Sequence, residues 1–138
     1  MRAIAAPKLR WVARATVEVG TPVALHSTPD GQHRLVPVHG GQVVGEWRGV
    51  ILGGGADWQI VHEDGSVGID ARYPVRLEDG STVCFIARGV RPSGSLKGEF
   101  STSLMLQGDA PADLSATVYL AVGQKAADAV EFDIFEVA

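Results

Sequence analysis

Cysteine is nearly absent from this chain. Cys84 is the only one in 138 residues, which excludes an intrachain disulfide and a cysteine-based zinc cluster. Beside Phe85 and Ile86 it reads as a buried, inert thiol. Long apolar runs are also absent, since none approaches the roughly twenty residues of a membrane helix. Met1 to Val12 carry Arg2, Lys8 and Arg10 but no continuous apolar core of the signal-peptide kind. A cytoplasmic protein that engages no membrane is therefore expected. No basic excess exists either: the formal net charge is −4 and the arginines are scattered among aspartates. That argues against nucleic-acid binding, which needs a basic footprint. The Gly-x-Ser-x-Gly elbow of serine hydrolases is missing. Gly53-Gly54-Gly55 lacks the lysine and Ser/Thr of a phosphate loop and the spacing of a dinucleotide fingerprint. No cofactor is expected.

What the chain has in quantity is glycine, 17 residues, with 7 prolines between short alternating segments. That is the punctuation of an all-β protein. An apolar content of 46% with 20% charged residues is ordinary for a globular chain and too apolar for disorder. The length suits one domain over residues 1–138 with a core of its own.

Alternation places the strands. Ala13, Ala15, Val17 and Val19 share one face, and Gly20-Thr21-Pro22 ends that segment. Pro29-Asp30-Gly31 is a turn, because proline presets φ and glycine accepts a positive one. Arg34 to Val38 reads as a strand whose Pro37 implies an edge or a bulge. After Gly40-Gly41, Val43 to Leu52 reads as another strand, interrupted by Gly45 and Gly49. The clearest segment is Val67 to Leu77: Val67, Ile69, Ala71, Tyr73, Val75 and Leu77 lie on one face, Gly68, Asp70, Arg72, Pro74 and Arg76 on the other. Asp64-Gly65 and Glu78-Asp79-Gly80 flank it as hairpin turns, so Gln59–His62, Val67–Leu77 and Thr82–Val90 form consecutive antiparallel strands. Arg91 to Gly98 is a loop, Glu99 to Leu106 a strand, Gly108 to Ala112 a turn, and Val118–Val122 and Val130–Val137 the last strands. Ala126 to Ala129 is the only segment of helical composition, too short to stand alone. A single closed antiparallel barrel of about eight to ten strands fits best, because closure removes exposed edges.

The chemistry-bearing residues concentrate in Gly53-Gly54-Gly55-Ala56-Asp57-Trp58-Gln59 and Asp70-Ala71-Arg72-Tyr73. Together with Val36-Pro37-Val38, Gly40-Gly41, Gly45, Arg48-Gly49, Asp64-Gly65, Asp79-Gly80 and Gly89-Val90-Arg91, they resemble the domain-of-unknown-function family 3237. The resemblance is close from Leu35 to Arg91 and looser through the C-terminal third. It implies the closed antiparallel barrel of that family's small bacterial and fungal proteins, and leaves the activity open. Three positions depart from the family pattern. Ala87 stands where an asparagine is usual, Ser101 where an arginine often follows Phe100, and Leu114-Ser115 where a leucine-asparagine pair occurs; the loop before that strand is also shorter. Polar groups that a pocket would use are thereby absent or reduced.

The residues themselves leave alternatives open. Asp57 and Asp70 could supply a general acid or base, with Arg72 steadying negative charge through its planar fork. Against this stands a structural Asp–Arg pair on the outer face, and only a hollow barrel would turn that face inward. Trp58 and Tyr73, supported by Trp11 and Trp47, could shape a pocket or simply fill the core. The glycines suit a barrel corner. His26, His33 and His39 read as surface residues and no metal site is expected; His62, just beyond Gln59, could be an acid/base partner. The expected function is small-molecule binding, with cofactor-independent acid–base chemistry (an isomerase, cyclase or lyase) on a small carbonyl or aromatic compound. A non-catalytic carrier of a small organic ligand and a pocketless homodimer subunit are the alternatives.

Overall fold

The computed structural model describes residues 4–95, 98–109 and 112–138. Its elements are β1 (Leu9–Val19), β2 (Val23–Thr28), β3 (Gly31–Gly45), β4 (Gly49–Ile51), β5 (Ala56–Val61), β6 (Val67–Leu77), β7 (Thr82–Arg91), β8 (Phe100–Gly108), the helix α1 (Ala112–Ala116), β9 (Tyr119–Lys125) and β10 (Ala129–Val137). The protein is nearly all β and closes into an eight-stranded antiparallel barrel. Around the wall run β1, β10, β9, β8, β7 and β6, then a position shared end to end by β4 and β5, then β3, which pairs back on to β1. β2 continues the line of β1 and pairs with β3 alone. Among the described residues, no helix is long and apolar enough to cross a membrane.

Alternation builds the wall. Along β6, Val67, Ala71, Tyr73, Val75 and Leu77 are buried, while Arg72 and Arg76 are exposed. β5, β6 and β7 are consecutive antiparallel neighbours. Both hairpins around β6 use the sequence Glu-Asp-Gly-Ser. In one, Asp64 Oδ1 accepts from the Ser66 N–H at 2.8 Å and its Oγ at 2.6 Å. In the other, Asp79 Oδ1 accepts from the Ser81 N–H at 2.9 Å and its Oγ at 2.6 Å. These bonds hold both carboxyls below the usual carboxylate range. Gly65 and Gly80 complete the turns with φ of 88° and 90°, a region that costs any L side chain.

Several elements differ from the alternation reading. β3 runs unbroken through Gly40-Gly41, because His39 is absorbed in a bulge between the Gly40–Glu18 and Val38–Val19 pairs. Pro37 lies inside β3, not on an outer edge. Its missing N–H faces the gap between β1 and β2, where its carbonyl accepts from Gly20 at 2.9 Å. The strand read over Val43–Leu52 is a hairpin, with Val43 paired to Gly49 and Gly45 at φ 149°. β2 carried no readable signal, since five of its six residues are exposed and no buried face imposes alternation. The short helix is α1, whereas the 126–129 segment is the β9–β10 turn, closed by the Ala126 N–H donating to the Ala129 carbonyl at 2.8 Å. Part of the turn expected at Gly108–Ala112 (residues 110 and 111) and of the Arg91–Gly98 loop (residues 96 and 97) lies outside the described residues.

One half of the barrel is filled. Val12, Val75, Val83, Phe85, Tyr119 and Ile134 are all but fully buried there. Trp47, carried by the β3–β4 turn, packs edge-on against Tyr119 and Phe85 with centroids 4.8 and 6.4 Å apart. It closes that end. At the other half the interior positions carry small side chains, Ala71, Ala87, Thr102 and Ala121, and the packing leaves space.

Candidate functional site

The site begins at the glycine run. Where a Cβ would stand on Gly53 and Gly55, the carbonyl oxygens of His39 and Arg72 lie 2.8 and 2.4 Å away, and Gly54 has φ 102°. Only glycine lets the chain step here from β4 into β5 on the same wall position. The step sets the register of β5: Asp57 pairs with Ala71 and Val36, Gln59 with Arg34. Asp57 and Gln59 then point inward, and Trp58 points out, 53% exposed.

Asp57 is held at both oxygens. Gln59 Nε2 donates to Oδ2 at 2.6 Å, and the Asp70 backbone N–H donates to Oδ1 at 3.0 Å. Arg34 Nε donates in turn to Gln59 Oε1 at 2.7 Å, which fixes the amide's orientation. Burial pushes the Asp57 carboxyl above its ordinary value, although the Gln59 and Asp70 hydrogen bonds oppose this. The same carboxylate, second to burial, pushes the Tyr73 phenol up. Tyr73 is 3% exposed and stays a protonated donor at every ordinary pH.

These side chains line a cavity of about 90 Å³ in the unfilled half of the barrel. Ala71, Ala87 and Ala121 form its apolar wall, Asp57, Gln59, Tyr73 and Thr102 its polar spots, and Arg34, Arg91 and Lys125 its rim. At about 30 Å³ per water, the space takes a group of a few heavy atoms, well below the 300 Å³ or more of a drug-sized pocket. A larger groove of about 600 Å³, lined by Arg14, Glu99, Ser101 and Asp133, runs across the outer wall. It is shallow, its Glu99 is exposed and its Asp133 is already paired with Arg14, so the interior cavity is the better candidate.

The other expected site residues lie elsewhere. Asp70 and Arg72 are on the outer face, where Asp70 Oδ1 meets Arg88 Nε at 3.3 Å and Arg72 Nε at 3.8 Å. Period two fixes this: Ala71 and Tyr73 face the core, so their neighbours cannot. The side chain of Arg72 therefore does not reach the cavity beside Asp57, and only the backbone N–H of Asp70 joins the site. His62 follows β5, with Nδ1 2.8 Å from the Asp30 carbonyl, and does not line the cavity. Trp11 lies outside, donating to Asp133 Oδ1 at 3.0 Å. Among the described residues, no three His, Cys, Asp or Glu side chains gather for a metal.

Four polar cavity residues escaped the sequence reading: Arg34, Arg91, Thr102 and Lys125. A signal existed for each. Arg34 shares parity with Val36 and Val38, Arg91 with Ala87, Thr102 with Leu104 and Leu106, and Lys125 with Ala121. A polar residue near the end of an inward strand face was the mark.

The pattern of the family described as "Protein of unknown function (DUF3237)" matches residues 7–137. The chain belongs to that family. A UPF0311 protein of Clostridium acetobutylicum is 40% identical over 62 residues, 44% of this chain and 39% of the relative. One from Bradyrhizobium diazoefficiens is 30% identical over 82 residues, 59% of this chain and 54% of the relative. The matches thus span about half or less of these relatives. The β-barrel-like protein of Acinetobacter baumannii superposes with a TM-score of 0.90 at 26% identity, covering 100% of both chains. An enzyme from Penicillium herquei superposes at 0.81 with 13% identity, over 100% of this chain and 99% of that one. At that identity the likeness concerns the fold alone. Of the three departures from the family pattern, only Ala87 faces the cavity; Ser101 and Ser115 are exposed on the outer surface.

Proposed function

We propose that this DUF3237 member takes part of a small organic molecule into the open half of its barrel and exchanges a proton with it through Asp57, without a cofactor. The observation that carries this reading is a desolvated carboxylate, oriented at both oxygens, on the wall of a cavity sized for a few heavy atoms. A carboxyl whose proton affinity is raised by burial is a better base, and a usable acid at higher pH, than an ordinary aspartate. Tyr73 supplies a neutral donor for developing negative charge, and Gln59 holds Asp57 in place against Arg34. Isomerisation, cyclisation or elimination beside a carbonyl needs these parts and no redox group. The roles first assigned to Arg72 pass to Tyr73 and Arg34, which share the cavity with Asp57.

A carrier without turnover is the second reading, favoured by the Ala87 methyl on the cavity wall where the family usually has an asparagine. A pocketless homodimer has less support. Closure leaves β2, among the described strands, with an unpaired edge, so edge pairing between copies would have to use Val23–Thr28.

The test is solvent-deuterium incorporation into small enolisable ketones and keto acids, followed by proton NMR in D2O. Catalysed exchange that falls by about a hundredfold or more in Asp57→Asn supports the proposal, since positioned acid–base groups contribute roughly that much. Exchange at the full rate in the variant removes Asp57 from the role. A retained ligand in native mass spectrometry with no exchange by the wild type favours the carrier.

A further inference from the structure

We infer that the ligand of this cavity is a small carboxylate, held at the mouth by Arg34, Arg91 and Lys125 and met inside by the hydroxyl of Thr102. The inference rests on the binding reading above and names its substrate class. Three cations and one carboxylate, Asp57, line the cavity. None of the three cations has a carboxylate at ion-pair distance among the described residues. Buried cations in folded proteins are ordinarily paired, and half-buried Arg34 has, among the described residues, only the neutral Gln59 amide as a side-chain partner. Arg34 is also crowded: after burial, the charge of Arg91 is what most pushes its guanidinium down. The negative charge of a bound anion would offset both effects, and a planar carboxylate matches the guanidinium fork.

Thr102 is the independent observation. It is 4% exposed, its Oγ1 has no hydrogen-bond partner, and it lines the same cavity. An unmet buried hydroxyl is destabilising, and its strand partners Gly89 and Ala121 offer no polar side chain. It lies two residues along β8 from Leu104, whose strand partner Ala87 pairs with Ala71 opposite Asp57. A ligand with its carboxylate at the rim and a carbonyl or hydroxyl oxygen a few bonds inward would satisfy Thr102 and lay its intervening carbons along the Asp57 wall. A keto acid or hydroxy acid has that form. The volume of about 90 Å³ confines the buried part to a few heavy atoms, leaving the remainder outside.

The experiment titrates the protein with isobutyrate and benzoate, each against its amide, using 15N-labelled protein and amide shift mapping. The expected result is perturbation of cavity-wall amides such as Ala71, Ala87 and Thr102, with each acid binding at least about tenfold tighter than its amide. Arg91→Met should weaken the acids about tenfold and leave the amides unchanged. Thr102→Val should weaken 2-oxoisovalerate severalfold while leaving isobutyrate within twofold. Amides binding in the cavity as tightly as the acids would overturn the carboxylate inference and leave the binding reading intact. No perturbation of the cavity by any of these probes at tens of millimolar would overturn both. Spectral dispersion of each variant, compared with the wild type, establishes that it is folded.

Discussion

At the scale of single residues the structure turns on parity. Asp57, Gln59 and Tyr73 face inward and Trp58, Asp70 and Arg72 face outward because successive strand side chains alternate. The alternation along Val67–Leu77 was plain in the sequence and already put Asp70 and Arg72 on the face opposite Tyr73. Which face was hollow was not plain. It depends on Ala71, Ala87 and Ala121 meeting across three strands, a coincidence of register that no single segment displays. Asp57 also carries a testable thermodynamic consequence. Its folded-state pKa is raised above its unfolded value by burial. The protonated form is therefore favoured by folding, and this contribution, complete below the ordinary aspartate range, is lost as pH rises through the raised value. Asp57→Asn should then gain stability relative to the wild type on going from pH 3.5 to 7, with similar urea midpoints at the acid end and a higher one for the variant at neutrality. Urea midpoints at several pH values check this: a difference that does not change with pH would show that Asp57 is ionised at little cost, and a variant that loses stability relative to the wild type as pH rises would show that folding favours the ionised carboxylate.

At the scale of elements, turns were readable where they use local chemistry and unreadable where they use tertiary space. The two Glu-Asp-Gly-Ser hairpins announce themselves, because aspartate, glycine and serine satisfy one another within the turn. The β3–β4 hairpin does not, since Trp47 in its loop is placed by Tyr119 and Phe85 across the barrel. The strand β2 lacks any buried face to mark it. Two glycines separate the two kinds of constraint. A Cβ on Gly80 would meet nothing within 4 Å, so Gly80→Ala is penalised by its φ of 90° alone; a loss of about 1–2 kcal/mol is expected. A Cβ on Gly55 would lie 2.4 Å from the Arg72 carbonyl and 2.5 Å from Tyr73 Cβ. Gly55→Ala must therefore push β5 from β6, and a larger loss is expected, with displacement of Asp57. Thermal or urea unfolding of the pair ranks them; equal losses would mean that β5 moves freely.

At the scale of the whole molecule, closure explains both the fold and the site. Eight strands enclose an interior that side chains can just fill, and this barrel fills only half of it. Phe85, Tyr119 and Ile134, with Trp47 at the end, pack one half; the small residues of the other half leave the cavity. The all-β class and the closed barrel were legible from glycine spacing and period-two alternation. The uneven filling was not, because it is set by which large and small residues reach the same level of the wall. Enclosure is also what desolvates Asp57, so the most direct measurement follows its carboxyl carbon by 13C NMR as pH is varied, in the free protein and with isobutyrate added. A titration midpoint above the ordinary aspartate value, and a carboxyl resonance that shifts when isobutyrate binds, is the expected result. A midpoint at or below the ordinary value, with a resonance indifferent to every probe that binds the protein, would contradict a buried Asp57 working at a ligand cavity.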